Sequence, residues 1–93
     1  MLYITMETRD KIANIAKEIR VQRSLFYRYV TDEVWYERSI EWPDIDDNLP
    51  HMRHMKKFCQ MKRQWAHQKW KMAEAELLRL CDTYGIDYDV ERI

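Results

Sequence analysis

Only one glycine and two prolines occur in this 93-residue chain. Tight strand-to-strand turns draw on glycine and Asn-Gly pairs, whereas helices need few breakers, so a sheet protein is excluded and an all-α fold is expected. No stretch of 18 consecutive apolar residues is present to form a membrane span. The opening MLYITMETRDKI lacks the basic flank and long apolar centre of a secretory signal. With no Asn-x-Ser/Thr sequon either, a cytoplasmic protein is expected. Two cysteines, Cys59 and Cys81, stand 22 residues apart. On one helix that is roughly 33 Å, too far to bridge, and both read as buried thiols in a reducing compartment.

The remaining absences bear on chemistry. A single glycine rules out a Gly-rich phosphate loop. The DIDDN run, Asp44 to Asn48, begins like a calcium loop, but Leu49 stands where glycine is required and Met55 where the bidentate glutamate belongs. His51 and His54 share a helical face without a third ligand at zinc spacing, and His67 and Cys59 have no nucleophile-and-base spacing. The expectation is a non-enzyme with no metal, cofactor or small-molecule substrate.

What the chain does contain is helical periodicity. From Pro50 to Tyr84 no glycine or proline interrupts a stripe of Met52, Met55, Cys59, Ala66, Trp70, Ala73, Leu77, Leu80 and Tyr84, with Lys62 as its one polar occupant. This predicts one long C-terminal helix over about 50–84, started by Pro50 and stopped by Gly85 as a left-handed cap. Ile12, Ile15, Ala16, Ile19, Phe26, Tyr29, Val30 and Val34 predict a second helical segment over about 7–38, capped by Thr5 or Thr8. Val21, Gln22 and Arg23 step off that stripe. The segment is either one continuous helix or two helices with a tight turn near Arg20.

Both prolines lie in the predicted loop, 41–50, and residues 85–93 alternate as a short extended tail. A single domain over 1–93 follows, an antiparallel helical hairpin or small bundle. Its core is modest for its size, so self-association is expected.

Net charge is zero, yet it comes in blocks. Residues 1–30 carry six basic and three acidic side chains, 31–47 one and seven, 48–72 seven and none, and 73–93 two and six. Such blocks either pair with one another or present a one-signed face to a partner. Folding back as a hairpin sets 31–47 near the start of 48–72 and brings Lys17, Arg20, Arg23 and Arg28 beside Lys69 and Lys71.

The segment IAKEIRVQRSLFYRYV, Ile15 to Val30, resembles the two-helix core of helix-turn-helix DNA-binding proteins of the TetR type and related resolvase-like modules. Ile15, Ala16, Val21, Leu25 and Tyr27 to Val30 carry the likeness, which covers about one sixth of the chain. It implies a sequence-specific DNA-binding regulator. Gln22 would pair with adenine and Arg23 with guanine, and Ser24, Tyr27 and Arg28 would touch phosphates or further bases. Lys56, Lys57 and Arg63 would add phosphate contacts from the long helix.

A second expectation is a protein-interaction module or inhibitor of the phage or mobile-element accessory type. It would dock on a larger protein or nucleoprotein complex through Phe58, Trp65, Arg53, Lys62 and Lys69, since aromatic residues, Met and Arg are enriched at interfaces. A third is a structural homodimer whose opposite charge blocks pair across a two-fold axis.

Overall fold

The computed structural model of the protein describes residues 4–87. Two helices of equal length fill it, α1 over Met6–Glu41 and α2 over Leu49–Tyr84, each of 36 residues. They fold back on each other as an antiparallel hairpin, a rod of 66 × 18 × 16 Å. The tail from 88 to 93 lies outside the described residues.

α1 starts where Thr5 caps it, the hydroxyl oxygen accepting from the Thr8 N–H at 3.2 Å. It then runs unbroken through Arg20 and on to Glu41, three residues past the expected end. Of the two arrangements the sequence allows for Ile15 to Val30, this is the continuous one. No turn separates Ala16 from Gln22. Position 22, three residues beyond Ile19, therefore falls on the buried side and continues the stripe that Gln22 and Arg23 had been expected to interrupt.

The connection is short. Asp47 donates its N–H to Asp44 O, and the Asp44 N–H is bound by the Asp47 carboxylate at 2.7 Å. Asn48 then caps α2 by accepting from the His51 N–H at 3.1 Å, and Pro50 occupies the first turn, where a missing N–H costs nothing. At the far end Gly85 adopts φ +66°. The Ile86 N–H reaches back to Cys81 O at 2.8 Å, the Gly85 N–H to Asp82 O, and Ile86 packs on the core. This is a Schellman closure, which needs a left-handed residue at that point.

The helices meet along one seam. On α2 it carries Met52, Cys59, Ala66 and Ala73 at steps of seven, then Leu77 and Cys81; on α1 it carries Ile12, Ala16, Ile19 and Gln22. Steps of seven keep one face toward a neighbouring helix, and small residues at those steps allow backbones to approach closely. The largest side chains shut off from solvent are Ile19 and Leu77. Trp70 and Leu80 pack against this cluster while remaining half-buried. Lys62 lies outside the seam: its polar member is Arg63, which bonds Glu33 on α1. The register puts Glu33 level with Gln60 and Arg63, Glu37 level with Lys56, and Phe26 level with His67 and Trp70.

Candidate functional site

Helical geometry turns residues two apart to nearly opposite sides. Tyr29 and Tyr27 therefore mark the two long sides of the rod. Tyr29 meets Phe58 of α2 edge-on with ring centroids 6.5 Å apart, whereas Tyr27 approaches Trp70 at 6.4 Å.

On the Tyr27 side an aromatic cluster crosses the seam. Phe26 lies 5.4 Å from His67 and 5.9 Å from Trp70, and the Lys71 ammonium sits 4.7 Å over the Trp70 ring. A shallow groove beside them is lined by Phe26, Arg63, Gln64, His67 and Gln68. Tyr27 is exposed.

The middle of the rod is a basic belt. Residues 17–28 of α1 lie opposite about 66–77 of α2, and together they carry six basic side chains and three acidic ones. Lys71 meets Glu74 and Arg63 meets Glu33, but Lys17, Arg20, Arg23 and Arg28 have no carboxylate within ion-pair distance among the described residues. Positive charge concentrated in this way supports a field that attracts anions. Nearer the loop the blocks neutralise each other, with Lys56 Nζ 3.9 Å from Glu37.

Burial raises the Glu33 pKa, but hydrogen bonds from Arg63 and Gln60 and the charges of Arg63 and Lys56 outweigh it, leaving the carboxyl below its ordinary value. The Cys59 thiol is pushed up by burial and by the negative charges of Asp32 and Glu33, and that of Cys81 by burial.

Of the residues expected to touch nucleic acid, Tyr27 stands exposed beside Trp70, and Ser24, Arg28 and Lys57 are also exposed. Arg23, Lys56 and Arg63 are half-buried, the last two paired with acids of α1. Gln22 is 9% exposed and lies in the seam, its Nε2 donating to Glu18 Oε1 at 2.9 Å. Of those expected to touch a protein, Phe58, Trp65 and Lys62 come together on the Tyr29 side, the Lys62 ammonium 5.4 Å from one ring and 5.2 Å from the other. Arg53 and Lys69 are exposed.

Sequence reasoning set Lys17 and Arg20 of α1 near Lys69 and Lys71 of α2 from the antiparallel register alone. It missed His67, whose contact with Phe26 and Trp70 has no signal in the sequence of α2 taken by itself. No helix among the described residues is long and apolar enough to cross a membrane. Comparison of the chain with protein-family models, with curated proteins and with solved structures returns no match.

Proposed function

We propose that the chain is a non-enzymatic DNA-binding protein that grips the phosphate backbone of a duplex with the basic belt of its hairpin. The observation that carries this is the set of four α1 cations, Lys17, Arg20, Arg23 and Arg28, that have no carboxylate within ion-pair distance among the described residues, with Arg23 level with Lys71 of α2. Phosphate contacts of this kind supply most of the affinity for nucleic acid and carry no sequence information themselves. With the Gln22 amide held by Glu18, adenine readout at that position drops out of the helix-turn-helix expectation. Arg23, Ser24, Tyr27 and Arg28 remain as backbone contacts on a continuous helix.

Fluorescence anisotropy with a labelled duplex and a labelled single strand, both at low salt, tests the reading. Duplex binding that weakens steeply as salt rises is the expected result. No duplex binding at low salt overturns it.

A further inference from the structure

The Tyr29 side of the rod carries a second pair of stripes that the hairpin itself leaves uncovered. On α2, Phe58, Met61, Trp65 and Met72 recur at steps of three, four and seven, the spacing of a coiled-coil seam, and all four are exposed. On α1, Leu25, Tyr29, Asp32 and Tyr36 recur in the same way and are half-buried. Both stripes open on one side, because Tyr29 and Phe58 touch across it and the other members lie within about 60° of one or the other around their helices.

The surface area points to what covers this side. The protein exposes 7484 Å². A compact monomer of 11.6 kDa exposes roughly 5,800 Å² by surface-to-mass scaling. The excess, roughly 1,600 Å² for one chain, is about twice what each partner loses in a standard interface and is in the range of obligate homodimers. A rod one helix pair thick, with a seam already formed between its helices and a second seam open beside it, is half of a four-helix bundle.

Charge selects the occupant. Over the middle of this side the acid Asp32 belongs to α1 and the base Lys62 to α2, whereas toward the chain ends both signs occur on each helix, Lys11 and Glu18 on α1 and Lys69 and Glu76 on α2. A face with an acid on one edge and a base at the same level on the other complements a copy of itself turned about a two-fold axis parallel to the helices, since that rotation lays α1 of one copy over α2 of the other. Levels along the rod are unchanged by such a rotation. The register of Glu33 with Gln60 and Arg63 then sets Asp32 beside Lys62 of the second copy, Tyr29 beside Trp65 and Tyr36 beside Phe58.

We infer that the Tyr29–Phe58 side is a homodimer interface, closed by a second copy of this chain into an antiparallel four-helix bundle about an axis parallel to the helices. The interface is separate from the Tyr27 side, so dimerisation leaves Arg20, Tyr27, His67 and Lys71 outside it.

Sedimentation of the full chain over a concentration series, without nucleic acid, tests this independently of DNA binding. The expected mass at high concentration is twice the monomer's. Trp65→Glu, at an exposed position that the hairpin does not need, is expected to weaken the dimer by on the order of 30-fold or more while leaving helical circular dichroism unchanged. Asp32→Lys alone is expected to dissociate it, and Asp32→Lys combined with Lys62→Glu to restore it. A wild-type chain that stays monomeric at every concentration overturns the proposal and leaves the stripe to a different protein. A dimer that Trp65→Glu does not weaken overturns the face, and a double swap that stays dissociated overturns the axis.

Discussion

Arg63 on α2 donates its Nε–H to the Glu33 carboxylate on α1, joining the helices where the apolar seam gives way to charge. Gln60, one turn earlier, donates to the other oxygen of the same carboxylate at 3.0 Å. Two donors on one partly buried acid fix the register of the hairpin between its core and its loop, and that register decides which charges lie level with which.

Loss of this link is measurable. Arg63→Ala is expected to lower unfolding stability by about 1 kcal/mol in urea denaturation, the usual net worth of such a bond. Because the Glu33 pKa is depressed on folding, its contribution is fully present above the ordinary carboxylate value of 4.5 and is lost as pH falls through the folded value. Wild-type stability is therefore expected to drop below that pH more steeply than that of Glu33→Gln, whose side chain does not titrate.

The small residues of the seam set a tolerance for size. Ala66→Leu forces extra volume between helices already in contact and is expected to cost about 1–3 kcal/mol. Ala13→Leu, on the exposed face of α1, is expected to change stability by less than about 0.5 kcal/mol. Thermal melts of the two variants make the comparison.

Gly85 is required for its backbone conformation alone. No atom lies within 4 Å of a Cβ built there, so Gly85→Ala meets no clash and costs only the left-handed φ, about 1 kcal/mol by chemical denaturation.

Cys59 and Cys81 are buried thiols with raised pKa values. In the native protein both are expected to react with a thiol reagent far more slowly than free cysteine, and to reach the free rate in denaturant. Fast modification of either thiol in native buffer contradicts their placement in the seam.

The helical class, a cap at Thr5 or Thr8, the Gly85 cap and the apolar stripe of α2 were legible because each rests on local chemistry: a hydroxyl before a helix, a glycine after one, apolar residues at helical steps. The continuity of α1 through Arg20 was not. Val21, Gln22 and Arg23 break the apolar pattern, and only the packed partner shows that Gln22 completes the seam with its amide tied to Glu18. Lys62 was expected as the polar member of the α2 stripe, and Arg63 takes that place. Adjacent positions differ by about 100°, and Glu33 on the other helix decides between them. Phe58 and Trp65 were legible as off-stripe aromatics, whereas the companion stripe of Leu25, Tyr29 and Tyr36 emerged only when Tyr29 was seen against Phe58.

The central claim is that the belt of α1 cations holds a nucleic-acid backbone, and the salt dependence of duplex binding tests it most directly. The measurement is the slope of log association constant against log salt for the wild type and for a variant carrying Arg20→Gln, Arg23→Gln and Arg28→Gln together. Each phosphate contact contributes about 0.9 to that slope, so the variant's slope is expected to be shallower by about 3. A wild type that binds with the same slope as the variant contradicts the account.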